Sequence, residues 1–154
     1  MKKRSYVKII ALLTTAVIFV FSFSGAFAAA PLSLHMEVVD VIGGSGEPFS
    51  ASGPAVDNGV ICASGTVDDI SIVTKASNPN FTLLDVHKRF YCGDGTFDIF
   101  MLVRIDNATL ETRARWQLGA GTGNYAGLRG GGRLEGTPVH PGVTILDVYD
   151  GRVF

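Results

Sequence analysis

Trp116-Gln117-Leu118-Gly119-Ala120-Gly121-Thr122-Gly123-Asn124-Tyr125-Ala126-Gly127-Leu128-Arg129-Gly130-Gly131-Gly132-Arg133-Leu134-Glu135-Gly136 is the stretch on which the fold turns. One strand ends at Leu118, a glycine-rich bend follows, and a second strand restarts near Arg133. Glycine serves where the backbone takes positive φ or where two strands approach closely. Gly121 to Ala126 also fits the dinucleotide fingerprint Gly-x-Gly-x-x-Ala. That fingerprint needs a helix next, whose N-terminus meets the pyrophosphate. Gly127-Leu128-Arg129-Gly130-Gly131-Gly132 holds a helix poorly. The run therefore reads as a bend between strands, and no nucleotide or other cofactor is expected.

Working outward, alternation and turn residues dominate, with no convincing 3.6 period. Leu32 to Ile42 reads as a first strand and Gly43 to Gly59 as a Gly/Ser/Pro/Asp loop. Val60 to Asp68 and Ile70 to Lys75 read as short strands parted by Asp68-Asp69. Phe81 to Cys92, Thr96 to Asp106 and Thr109 to Leu118 form a three-strand meander, and Arg133 to Gly136 and Val143 to Tyr149 supply the last strands. Short strands at regular spacing predict an all-β barrel or sandwich.

The meander predicts a register. A two-residue Asn107-Ala108 loop sets Ile105 opposite Leu110, Val103 opposite Thr112, Met101 opposite Ala114 and Ile99 opposite Trp116. That face is apolar and is taken as inward; Asp98, Arg104, Glu111, Arg113, Arg115 and Gln117 occupy the other. In the preceding hairpin, an Asp94-Gly95 turn pairs Cys92 with Phe97 and points Leu84, Val86, Phe90 and Cys92 inward. The alternative, a three-residue loop, turns Asp85, His87, Arg89 and Tyr91 inward instead. The first register buries more carbon and pairs more charge.

Residues 1–28 read as a secretory signal peptide. A basic start (Lys2, Lys3, Arg4, Lys8) precedes the apolar run Ile9 to Phe23, and Ala26-Phe27-Ala28 fits a small-x-small cleavage site. The run is shorter than the ~20 residues a spanning helix needs, so no membrane attachment is expected after cleavage. Residues 29–154 then form one domain. Loss of the leader leaves nine basic against 14 acidic residues. This mildly acidic, scattered charge argues against nucleic acid as a partner. Cys62 and Cys92 are the only cysteines. An even count in an exported chain favours a disulfide. A metal or nucleophile role is the alternative, but no histidine stands at ligand spacing.

Four segments in order carry a resemblance: Ser52 to Val67, Lys88 to Phe97, Gly121 to Gly130, and Asp147 to Arg152. Together they resemble exported bacterial proteins of the allene-oxide-cyclase-like barrel group, related in architecture to dirigent proteins. The resemblance implies an eight-stranded antiparallel barrel with a central cavity, assembly as dimers or trimers, and Cys62 and Cys92 as the group's own pair. In the plant cyclases the cavity guides cyclisation of a fatty-acid epoxide. Their Asn-Glu-x-Asp-Arg-x-Ser-Pro stretch is absent here, where Leu34-His35-Met36-Glu37-Val38-Val39-Asp40-Val41 stands, so no catalytic residue carries over.

Glu37 is the remaining acid/base candidate; it shares a strand face with His35 and Val39, so it is solvated if Leu34, Met36 and Val38 face inward. His35, His87 and His140 are too scattered to predict a metal site. Phe90, Phe97, Ile99, Met101 and Trp116 form the expected core stripe, either as packing or as the wall of a cavity for a small apolar ligand. Phe100 and Leu102 on the outer face suit a subunit contact. The expectation is a secreted binding or structural barrel with an apolar interior. The alternative is a cofactor-free cyclase or isomerase, which needs a cavity of about 300 Å³ or more and convergent polar groups.

Overall fold

The computed structural model describes residues 30–154; the leader expected at 1–28 lies outside them. Eight antiparallel strands close into a barrel in which every strand pairs with its neighbours in chain order. They are β1 Leu32–Val41, β2 Ser45–Ser52, β3 Ser64–Ser77, β4 Phe81–Cys92, β5 Gly95–Asp106, β6 Thr112–Gly121, β7 Gly130–His140 and β8 Thr144–Val153. A short helix α1, Pro54–Asp57, and a 3-10 turn, Gly123–Tyr125, lie at the end where the chain ends meet. The β1–β8 ladder, Leu32 opposite Val153 through Val41 opposite Thr144, closes the cylinder.

Several elements differ from expectation. The segment Gly43 to Gly59, expected as a loop, contains β2 and α1. Its Gly, Ser and Pro content hides a strand whose Glu47 and Phe49 face inward, and pairing on both sides overrides weak local propensity. The two short strands expected across Asp68-Asp69 are one strand, β3, with register shifts at Asp69/Ser71 and Thr74/Ala76. These shifts act as bulges: each places one extra residue while letting the ladder continue.

The meander keeps the predicted faces but slides by two residues in both hairpins. Phe97 pairs with Phe90, not Cys92, because Cys92 pairs with Gly95 across a Gly93-Asp94 turn. Val103 pairs with Ala114 and Met101 with Trp116. The β5–β6 loop is longer than two residues. Asp106 Oδ1 accepts the backbone N–H of Ala108 at 2.9 Å and of Thr109 at 3.2 Å, and Leu110 takes φ 61° to complete the bend. A slip of two preserves sidedness, so the apolar stripe stays inward.

The glycine-rich run now has a packing reason. Trp116 on β6 lies level with Gly132 on β7, which lies level with Gly151 on β8. The indole fills the space Gly151 leaves, since a Cβ there would overlap its ring, while Gly132 allows the β8 backbone to approach. Its Nε1–H donates to the Arg133 carbonyl at 2.9 Å. Below it, Phe90 and Phe97 stack with centroids 4.9 Å apart, and Phe49 meets both edge-on. Tyr125 plugs the end, its hydroxyl donating to Asp94 at 2.7 Å. This half of the barrel is filled.

Cys62 and Cys92 form a disulfide that ties the α1–β3 connection to the end of β4. Cross-linking across a sequence separation of 30 restricts the unfolded chain. Replacing both cysteines with alanine is expected to lower the free energy of unfolding by roughly 3–4 kcal/mol, read by urea denaturation.

Candidate functional site

The other half of the barrel holds a cluster that strand alternation makes unavoidable. On β4, Leu84, Val86, Lys88 and Phe90 share one face, so Lys88 points into the interior and is buried. On β1 the inward face of Leu34, Met36 and Val38 continues to Asp40, also buried. On β3 Asp69 shares the inward parity of buried Val67 and lies opposite Lys88, and the bulge after it switches the parity so that Ile72 lies opposite inward Val86. On β8 the inward set is Ile145, Asp147 and Tyr149.

Lys88 Nζ donates to Asp40 Oδ2 at 2.7 Å and to Asp69 Oδ1 at 2.5 Å. All three side chains are at most 7% exposed, so the ions are largely removed from water. Burial pulls the Lys88 ammonium down, but Asp40 and Asp69 outweigh it and the net shift is upward. Burial raises the Asp40 carboxyl despite Lys88, and nearby Asp69 and Glu47 push the same way. Glu47, buried on β2, thus adds a further carboxylate to this end of the interior.

Asp147 has no cation within salt-bridge distance among the described residues. Burial pushes its carboxyl up to about 7; Lys88 opposes this, while Asp40 and Asp69 reinforce it. The Tyr149 hydroxyl lies fully buried beside it and is directed at its carboxyl. Burial and then the negative charge of Asp147 hold that phenol protonated, well above its ordinary range.

A glycine adjoins Asp147. Thr112 on β6, Gly136 on β7 and Asp147 on β8 are level with one another, repeating the Trp116–Gly132–Gly151 arrangement. Here the space above the glycine is closed by Thr112, Asp147 and the end of the Ile145 side chain. A Cβ on Gly136 would overlap Thr112 Oγ1 and meet Asp147 Oδ1, so both oxygens converge on that position. Thr112 Oγ1 is buried and unpartnered. Thr112 and Asp147 also border a cavity of about 80 Å³ whose other walls include Val86, Met101, Val103, Leu134 and Ile145. A second space of about 100 Å³ shares Ile42, Ile105, Thr112 and Ile145 with it and continues toward the Gly142 rim. The result is an apolar cup with a charged floor. It is well below the ~300 Å³ typical of a drug-sized ligand.

The residues singled out from sequence fall in several places. Met101 lines the cup. Phe90, Phe97, Ile99 and Trp116 are packed in the core away from it. Glu37 is on the outside of the barrel, 3.3 Å from His35 Nε2, with His35 Nδ1 2.8 Å from Asp150. Its carboxylate therefore has no access to the interior, which removes the geometric basis for it as an acid acting there. Asp85, His87 and Arg89 also face outward. Asp85 pairs with Lys75 at 3.0 Å. Arg89 and His87 both engage Asp98, which Arg89 covers at 2.7 Å and holds below the usual carboxylate range. His35, His87 and His140 do not converge. No group of three ligating side chains suited to a metal occurs among the described residues.

The cluster of Lys88, Asp40, Asp69 and Asp147 was not anticipated. Its signal was a charged residue falling on the apolar parity of four separate strands. Comparison of the chain with protein-family models, curated proteins and solved structures finds no match. The barrel therefore stands on its own strand pairing.

The raised Asp147 carboxyl fixes a pH dependence. In the unfolded chain it titrates near 3.8, in the fold near 7. The folded form binds the proton more tightly, so this contribution to stability is complete below pH ~4 and is lost between about pH 4 and pH 7. Unfolding free energy is expected to fall across that window. Asp147→Asn is expected to flatten the fall in part, leaving the share from Asp40, whose shift has the same sign. Urea denaturation at pH 4.5 and 7.5 checks this; identical slopes in both proteins would contradict it.

Proposed function

We propose that the protein is an exported binding barrel, non-catalytic, that takes one small amphipathic molecule. The apolar part occupies the cup beside Met101 and Val103, and the polar end meets Asp147 and Thr112. The observation that carries this reading is the apolar hollow at this end of the barrel, bordered by Met101, Val103, Leu134 and Ile145 with Lys88, Asp147 and Thr112 among its lining residues, in a barrel whose other end is packed with aromatic rings. Buried polar groups without partners are costly, and a ligand's polar end would supply partners. The apolar interior anticipated from sequence thus becomes an apolar cup above a charged floor.

The closed eight-stranded barrel and the Cys62–Cys92 bridge are compatible with the allene-oxide-cyclase-like group and with export, and both belong to this proposal. So does self-association as dimers or trimers through the outer face bearing exposed Phe100 and Leu102. A second reading, a cofactor-free isomerase or cyclase, has in its favour that the buried Asp147 carboxyl, pushed up to about 7, borders the cup, but the cup falls short of the ~300 Å³ that reading needs.

Isothermal titration of the folded protein with n-hexanol tests the binding reading. One saturable site per chain is expected. Val103→Phe, which fills the cup, is expected to abolish it with the far-UV circular dichroism unchanged. Absence of any saturable uptake by the unmodified protein would leave a purely structural barrel.

A further inference from the structure

Nine basic residues follow residue 28, and the fold distributes them unevenly. Lys88 is buried with Asp40 and Asp69, Lys75 pairs with Asp85, and Arg89 pairs with Asp98. Of the other six, Arg104 on β5, Arg113 and Arg115 on β6 and Arg133 on β7 are exposed together on one stretch of the outer wall. Register sets like charges face to face there: Arg104 lies opposite Arg113, and Arg115 opposite Arg133. Such pairs repel. Among the described residues only Arg113 of the four has a carboxylate at salt-bridge distance, Glu111 at 3.9 Å. Glu135, opposite Arg113, makes no ion pair, and Asp150, opposite Arg133, is drawn to His35 at 2.8 Å. Asp106 and Glu111 share a hollow with Arg104 and Arg113, so Arg115 and Arg133 are the least compensated.

A groove of about 260 Å³ adjoins this row on the same outer face, bordered by Asp85, Phe100, Leu102, Arg115 and Gln117. Phe100 is held in place there. It stacks on His87 with centroids 4.2 Å apart, and a Cβ on Gly119 would overlap its ring. We propose that this wall binds a linear polysaccharide carrying carboxylates, a uronic-acid chain. Its acid groups meet Arg115 and Arg133 first and extend toward Arg104 and Arg113, and one sugar ring lies in the groove against Leu102. The wall is on the outside of the barrel, so its occupant is independent of what the cup holds.

Charge complementarity carries the choice of partner. A guanidinium is always charged, and its fork matches a carboxylate. Same-face positions stand about 5 Å apart across strands and about 7 Å apart along them. Four arginines at that spacing suit acid groups that repeat along a chain better than one small anion. A sugar ring brings both C–H faces and hydroxyls, which suits a groove that mixes Phe100 and Leu102 with Gln117. An anionic lipid surface fits less well, because Phe100 is packed between His87 and Gly119 and is not free to insert. Duplex DNA fits less well because 14 acidic residues against nine basic ones repel a polymer with one charge per ~1.7 Å. Leu102 lies opposite Arg115, so a second copy on the Phe100 and Leu102 face and a polysaccharide on this wall exclude one another.

Calorimetric titration of the folded protein with polygalacturonate tests this assignment. Saturable binding is expected, weakening by roughly tenfold between ~50 and ~200 mM salt, with neutral galactan giving none. Arg115→Gln and Arg133→Gln are each expected to weaken it about three- to fivefold, whereas Arg129→Gln, which removes the same charge from the connection before β7, changes it by less than about twofold. Leu102→Asp sets a carboxylate opposite Arg115 and is expected to weaken binding more than either. Far-UV circular dichroism confirms that each variant is folded. No saturable uptake by the unmodified protein at the lower salt, or an Arg129→Gln loss as large as that of Arg115→Gln, would overturn the site. Tighter binding of duplex DNA or of phosphatidylglycerol vesicles than of polygalacturonate would overturn the polysaccharide assignment. Self-association of the unmodified protein that Arg115→Gln abolishes, read by sedimentation, would put a second copy on the wall instead.

Discussion

A single buried cation organises the interior. Lys88 enters from β4 and joins Asp40 on β1 and Asp69 on β3, linking strands on both sides of β2. Burial of such an ion is tolerated only with its partners in place, because removing water from a lone charge is very costly. The arrangement also specifies register. A slip of one residue in β4 would put Lys88 outside and strand two carboxylates inside, whereas a slip of two would carry it past both. The bulge after Asp69 is part of the same constraint, since it allows β3 to offer that carboxylate and still return Ile72 to the interior.

Two level triplets of residues divide the barrel. Both place a glycine on β7 between β6 and β8. In one, Trp116 lies across Gly132 and Gly151 and the space is filled. In the other, Thr112 and Asp147 flank Gly136 and close over it together with Ile145. The spacing of four between Thr112 and Trp116, matched by Gly132 to Gly136 and Asp147 to Gly151, repeats the motif two strand periods on. The difference between a packed half and an open half comes down to an indole in one position and a short hydroxyl in the other.

Much of this fold was legible in the chain. Parity placed Met101, Val103, Phe90 and Phe97 inward, and the glycine run marked close approach of strands. Registers were harder, because Asp106 caps its loop with its own side chain and Leu110 takes positive φ, neither of which alternation reports. β2 escaped notice since Gly, Ser and Pro are poor strand formers, and partners on both sides hold it in place. The floor of the cup was readable in principle: Lys88 lies between Val86 and Phe90 on one face, and Asp40 follows Val38 on another. What alternation within one strand cannot supply is that these side chains meet. That requires the barrel to close.

Lys88 holds the two carboxylates of β1 and β3 together. The direct measurement is the unfolding free energy of Lys88→Met at pH 7 against the unmodified protein, repeated at pH 4. The methionine keeps the length of the side chain and removes the charge that Asp40 and Asp69 share. A loss of about 3–5 kcal/mol is expected at pH 7, shrinking at pH 4, where the carboxylates can hold protons instead. A variant as stable as the parent at pH 7 would contradict the central role of this ion, and with it the charged floor beneath the cup.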